Sequence, residues 1–242
     1  MNSIIIGASA GIGKALAYEL AKHGHQLILV SSDERDLISL CNDISISYDT
    51  SAKYIVSDLK NLDLKNIVSQ IKEYCTSINN IFLIAGVSNL DPTRDRSSDI
   101  NEIIDVNLKS PILIMESLFS LLDSTGAANI VGLGSIAAIR ARSTRLIYAS
   151  CKKALEFYFQ GLMHKFSQTN VKIQFYRLGY AATQMTYGQN LAFPAIRPEN
   201  AAKIILRRLD KNIELGYIPG WWRYICWTYH ALPWFIFKRM KA

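Results

Sequence analysis

Cysteine is scarce and scattered in this chain of 242 residues: Cys41, Cys75, Cys151 and Cys226 form no CxxC pair and have no histidine at ligand spacing. That excludes a disulfide framework or a zinc module and predicts packed or free thiols in a reducing compartment, with no metal. Cys151 is expected to pack as a small hydrophobe even though it adjoins Lys152. No Pro/Gly/Ser-rich linker, repeat or low-complexity tract divides the body, so one domain is expected over residues 1–220, followed by a tail at 221–242. The opening "MNSIIIGASAG" lacks the basic flank, long apolar core and cleavage site of a secretory signal, and a cytoplasmic location is expected. Charged residues are few (19%) and half of the chain is hydrophobic, which excludes wholesale disorder. Acidic residues stop altogether after Glu214, while Arg223, Lys238, Arg239 and Lys241 follow, so the net charge of +7 is concentrated at the end. No continuous basic stripe runs through the body, and a nucleic-acid partner is excluded.

What the chain does have is alternation. Short apolar runs at 3–7, 26–31, 53–57, 80–86, 129–134, 172–178 and 213–218 are separated by amphipathic segments near 12–22, 34–46, 61–75, 99–122, 147–168 and 199–210. Apolar runs this short, spaced by helices, predict parallel strands buried on both faces. The expected fold is α/β, a single Rossmann-type doubly wound domain with a seven-stranded parallel sheet and helices on both faces.

Between the first strand and first helix lies "GASAGIG", which sets Gly7, Gly11 and Gly13 at G-x-x-x-G-x-G spacing. Gly7 permits a sharp exit from the strand, Gly11 lets backbone approach a pyrophosphate, and Gly13 lets the helix lie close to the sheet. Free N–H groups at the helix start then face the phosphates, with Ser9 and Ile12 in the same turn. A dinucleotide is the expected ligand. A P-loop is excluded, because no GK[ST] follows.

Tyr148 and Lys152 in "YASCK" are four residues apart and share a helix face, with Ser135 thirteen residues before the tyrosine. Alone, the pair reads better as two neighbours on a helix. In order along the chain, however, stand "GASAGIG", "SDL" with Asp58 and Leu59, "AG" (Ala85, Gly86), "DVN" with Asn107, Ser135, "YASCK", and "RLGYAAT" with Gly179 and Thr183. On this series the chain resembles the short-chain dehydrogenase/reductase family over essentially its whole length. It departs from the family pattern at Ile6, at Leu83 and Ile84, and at Leu178, where a threonine, two asparagines and a proline are usual.

The resemblance implies an NAD(P)-dependent oxidoreductase that reduces a keto group or oxidises the alcohol. It implies that Tyr148 exchanges the proton, that Ser135 hydrogen-bonds the substrate oxygen, and that Asn107 binds a water relaying protons to Lys152. Lys152 is expected to hold the ribose hydroxyls and, as an ammonium one turn away, to lower the tyrosine pKa from about 10. Thr183 is implied at the carboxamide, and Asp58 and Leu59 at the adenine. The second strand ends at Ser31 and Ser32, where an acidic side chain would repel a 2′-phosphate. Small hydroxyls favour NADP over NAD without excluding either. A homodimer or homotetramer is the expected assembly.

Two features are left over. Arg140, Arg142 and Arg145 lie where a substrate must enter; they read either as solvated surface or as partners for a phosphate or carboxylate. The tail contains every tryptophan of the chain, edged by Arg and Lys, and is too short to span a bilayer. It suits the headgroup region at the inner face of the cytoplasmic membrane, a dimer interface, or a lid over the substrate. "RARSTRLIYASCKKALEFYFQGL", "ATQMTYG" and "LPWFIFKR" further resemble bacterial reductases acting on decaprenyl-phosphate-linked pentosyl 2-ulose. That implies a lipid-linked, anionic keto sugar as substrate. The alternatives are a soluble carbonyl reductase or alcohol dehydrogenase for a small metabolite, and a non-catalytic dinucleotide sensor.

Overall fold

Residues 1–88, 96–122, 128–143, 145–211 and 213–240 are described in the computed structural model. The strands are β1 (Asn2–Ile6), β2 (Gln26–Ser31), β3 (Ala52–Val56), β4 (Asn80–Leu83), β5 (Asn129–Ser135), β6 (Lys172–Leu178) and β7 (Leu215–Ile218). All pair in parallel in the order β3-β2-β1-β4-β5-β6-β7. The order reverses between β1 and β4, which opens a crevice at the carboxyl ends of the strands.

Period-two alternation explains why the apolar runs are continuous. Ile5, Leu29 and Phe82 point to one face and meet helices α1 (Gly11–Lys22), α2 (Glu34–Ser47) and α7 (Pro198–Arg208). Ile4, Ile6, Ile28, Val30 and Leu83 point to the other, against α3 (Leu64–Tyr74), α5 (Ser110–Leu118) and α6 (Leu146–Lys165). Ile6 and Leu83, two departures from the family pattern, are thus core side chains. The four cysteines are buried, and burial pushes the Cys151 thiol above its ordinary pKa.

The amphipathic segment at 99–122 is not one helix. It divides into α4 (Arg96–Ile104), a π-helical turn Asp105–Lys109, α5, and a short 3-10 turn Phe119–Leu121. Pro111 at the start of α5 lacks the N–H that an α-helix would donate to the Asn107 carbonyl, so the ladder shifts there. The tail also forms helices, α8 (Trp222–Ala231) and α9 (Trp234–Phe237), broken at Pro233. Among the described residues no helix is long and apolar enough to cross a membrane. Lys241 lies outside the described residues.

Candidate active site

Two hollows meet above the carboxyl ends of the strands and share Gly134, Tyr148, Leu178, Ala181, Thr183 and Met185 as common wall. The first, 480 Å³, is lined by Gly7, Ser9, Gly11, Ile12, Ser31, Ser32, Asp58, Leu59, Ala85, Gly86, Tyr148, Lys152 and Thr183. The second, 400 Å³, is lined by Ser135, Arg140, Arg142, Arg145, Tyr148 and Gly179, together with side chains of α8.

The first hollow is shaped largely by backbone. Gly7 has φ +93°, and a Cβ there would lie 2.7 Å from the Ala85 backbone. A Cβ on Gly13 would lie 1.9 Å from the Gly7 carbonyl oxygen, so only glycine lets α1 begin this close to β1. Helices α2 and α3 start with aspartate caps, Asp33 accepting from Asp36 N at 2.9 Å and Asp63 from Asn66 N at 3.1 Å. Helix α1 starts at Ala10 with no side-chain cap and no acidic residue in its first turn. Its leading N–H groups are therefore left to an anion facing the hollow. Ser9 and Ser31 join hydroxyls at 2.7 Å along the rim, with no carboxylate between them. Asp58 folds back to accept from Lys60 N at 3.0 Å, shaping the 3-10 turn Leu59–Asn61. These residues fit a dinucleotide: close backbone approach, an uncapped helix start and a long enough cleft.

Behind Gly86 the polar machinery converges. Asn107 is fully buried in the π-helical turn, and its amide donates to the carbonyls of Val87 (2.7 Å) and Ile103 (2.9 Å). Its Oδ1 has no partner, although a buried acceptor demands one. A Cβ on Gly86 would meet both that Oδ1 at 3.0 Å and Lys152 Nζ at 3.2 Å, so the two polar groups flank one small space. A water bridging them would supply the partner that Oδ1 lacks. Lys152 is 3% exposed and donates to the carbonyls of Leu133 (3.1 Å) and Ala85 (3.2 Å).

Burial governs both ionisable groups. It lowers Lys152 to about 8 and raises the Tyr148 phenol, opposed by a hydrogen bond from the Ser135 hydroxyl and by the positive field of Arg145. The expected lowering of the tyrosine by its lysine is therefore corrected. The ammonium lies 6.0 Å from the ring centroid, and desolvation outweighs the positive charges nearby. Near neutral pH the phenol keeps its proton.

The second hollow is shaped by side chains. Residues Trp222, Ile225, Cys226 and Tyr229 follow an i, i+3, i+4, i+7 stripe along α8 and form its wall. Trp222 lies edge-on to Tyr180 (5.4 Å) and Phe193 (5.1 Å). Its indole sits directly on Gly179, where a Cβ would come within 1.8 Å of Nε1. Gly179, expected at the cofactor, is placed against this ring in the second hollow. Trp222 and Tyr229, expected with the rest of the tail at a headgroup region, a dimer interface or a lid over the substrate, line this hollow.

The three arginines separate. Arg140 donates to the carbonyls of Tyr229, His230 and Leu232 at the end of α8, and its guanidinium lies 4.3 Å over the Phe237 ring. Through Nη1 it holds the tail, while Arg140 also stays on the lining of the second hollow. Arg142 is exposed and stacks 4.7 Å over Tyr229. Arg145, with φ 56° just before α6, donates to Gln189 Oε1 at 2.5 Å. Both retain donors toward the hollow.

A doubly wound sheet whose switch-point crevice holds a dinucleotide cleft beside a serine, a tyrosine and a lysine defines the class: a nucleotide-dependent oxidoreductase. The family model described as short chain dehydrogenase matches residues 2–192, and the chain belongs to that family. It is an NAD(P)-dependent oxidoreductase. An uncharacterised oxidoreductase of Staphylococcus epidermidis is 26% identical over 190 residues, covering 77% of this chain and 80% of that protein. A very-long-chain 3-oxoacyl-CoA reductase of Anas platyrhynchos is 23% identical over 243 residues, covering 96% and 75%. In structure, the chain resembles a short-chain dehydrogenase from Sphingobium yanoikuyae in complex with NADPH, with TM-score 0.81, 20% identity, and 100% and 99% of the two chains covered.

Proposed function

We propose that this chain is an NADP(H)-dependent reductase of a keto group on an anionic, largely apolar substrate, of which a keto sugar on a polyprenyl phosphate is the type. The observation that carries the reading is the second hollow. It has an apolar aromatic wall from α8, Arg142 and Arg145 on its lining, and Tyr148 with Ser135 at its inner end. The duck relative, named for reducing a keto group on a very long acyl chain, is in keeping with an apolar substrate. Ser31 and Ser32, without a carboxylate, leave room for a 2′-phosphate, and the similar dehydrogenase from Sphingobium is in complex with NADPH.

Gly7, Ser9, Gly11 and the start of α1 would hold the pyrophosphate, while Lys152 and Thr183 would hold the nicotinamide end. Bound there, the reduced dinucleotide supplies a hydride. Ser135 donates a hydrogen bond to the substrate carbonyl, and that bond strengthens as negative charge develops on oxygen. Tyr148, kept protonated by burial, gives its proton to the forming alkoxide. Lys152 and the water space at Asn107 Oδ1 return the proton. A phenol held neutral favours reduction near pH 7; the reverse oxidation gains as pH rises.

NADPH and NADH oxidation measured with a polyprenyl-phosphate keto sugar and with simple neutral ketones tests this. Arg142→Ala is expected to raise KM for the anionic substrate about tenfold, the worth of one charge-assisted hydrogen bond. It should leave KM for a neutral ketone within about twofold. Equal losses on both, or turnover of neutral ketones alone, would assign the site to a small carbonyl metabolite.

A further inference from the structure

Helix α8 has two apolar faces, and only one belongs to the substrate hollow. Opposite the stripe of Trp222 and Cys226 stand Tyr224 and Trp227, 61% and 71% exposed, and α9, after the break at Pro233, adds exposed Trp234, Phe235 and Ile236. Isolated exposed apolar residues mean little, but a contiguous aromatic patch marks a contact surface. We propose that this outward face of α8 and α9 docks on an anionic lipid surface.

Charge selects the occupant. The exposed cations Arg223, Lys238 and Arg239 edge the patch, and no acidic residue follows Glu214 anywhere in the chain. A second copy packed face to face would set these cations against one another, and neither tail segment after Glu214 has a carboxylate side chain to pair them. Anionic headgroups complement them, and Trp and Tyr rings suit the depth just below. The face is also presented firmly: Arg140 ties the end of α8 and the Phe237 ring to the loop after Ser135. Docking therefore sets the outer side of the hollow's own wall against lipid. Joined to the proposed function, and resting on it, that places the hollow where a lipid-linked substrate resides.

All four tryptophans lie between residues 221 and 234, so intrinsic fluorescence reports this region alone. The full chain, mixed with vesicles of phosphatidylglycerol and phosphatidylcholine in equal parts, is expected to pellet with them and to shift its emission to the blue. Vesicles of phosphatidylcholine alone should bind at least tenfold more weakly, and salt should release the protein. Trp227→Ser with Phe235→Ser, both exposed side chains, should cut partitioning at least tenfold and leave reduction of a water-soluble ketone unchanged. Lys238→Glu with Arg239→Glu should do the same through charge. Absence of anionic-vesicle binding, equal binding to neutral vesicles, or unchanged binding of both double variants would overturn the proposal. Self-association in lipid-free solution that is abolished by these substitutions would also overturn it, assigning the face to a second copy. Pelleting and emission need no substrate, so their failure leaves the proposed reaction standing, and failure of the reaction leaves the docking standing.

Discussion

The two hollows that meet at Tyr148 are built on different principles. The first is made of turns at the carboxyl ends of β1 to β5, with glycine, serine and alanine bringing backbone close to the ligand. Most contributions are local to one strand end, with Tyr148 and Lys152 reaching in from α6. The second is made of large side chains from segments far apart: the loop after Ser135, the stretch around Gln189 to Phe193, and α8. The family match covers residues 2–192 and so ends before α8 begins. A shape that backbone makes can be shared across a family, whereas one that side chains from distant segments make belongs to the individual chain. Binding of the dinucleotide and choice of substrate should therefore respond separately to mutation.

The largest effect falls on the shared wall. Tyr148→Phe is expected to lower kcat by at least about 10²-fold, the usual contribution of a positioned acid, with the dissociation constant for NADPH within about twofold of wild type. Retained turnover would remove the phenol as proton donor.

Lys152 tests the cost of the first hollow. Its folded pKa lies at about 8, below the ordinary 10.5. Between these values the unfolded chain holds a proton that the folded chain has released, so stability contributed by this group rises with pH over that window and is lost as pH falls through 8. The full shift corresponds to about 3 kcal/mol. Denaturant unfolding at pH 8 and pH 10 should show the rise in wild type relative to Lys152→Met, a difference that cancels the titration of the buried cysteines and tyrosines.

Gly179→Ala strikes the second hollow alone. The added methyl must displace the Trp222 indole, at a cost of about 2 kcal/mol of stability. KM for the ketone substrate should rise and tryptophan emission should change, while NADPH affinity holds. If NADPH affinity fell equally, the two hollows would not be separable.

Arg140→Met is the mildest. It removes the donors that cap α8 and two cation–ring contacts, to Trp234 and Phe237, for a loss of about 1 kcal/mol. Tryptophan emission and KM should shift more than melting temperature does, because the tail loosens while the sheet does not.

Much of the first hollow was legible in the residues. The spacing of Gly7, Gly11 and Gly13, the two serines closing β2, and the pair Tyr148 and Lys152 are local patterns, and local patterns survive in a string. The π-helical turn at Asn107 was hidden inside one amphipathic segment, although Pro111 was the clue that the ladder had to break. The tail resisted a periodicity argument because α8 is apolar on two sides, one facing the hollow and one facing out.

By itself, then, the sequence determined the doubly wound sheet and the order of its nucleotide-binding turns, because alternation, glycine spacing and helix faces act over a few residues. Tertiary structure alone decided that Arg140 holds the tail, that Gly179 makes room for Trp222, and that burial raises the phenol its lysine was expected to lower. Each of those depends on contacts between segments tens of residues apart and on how much water the fold excludes, neither of which local spacing records.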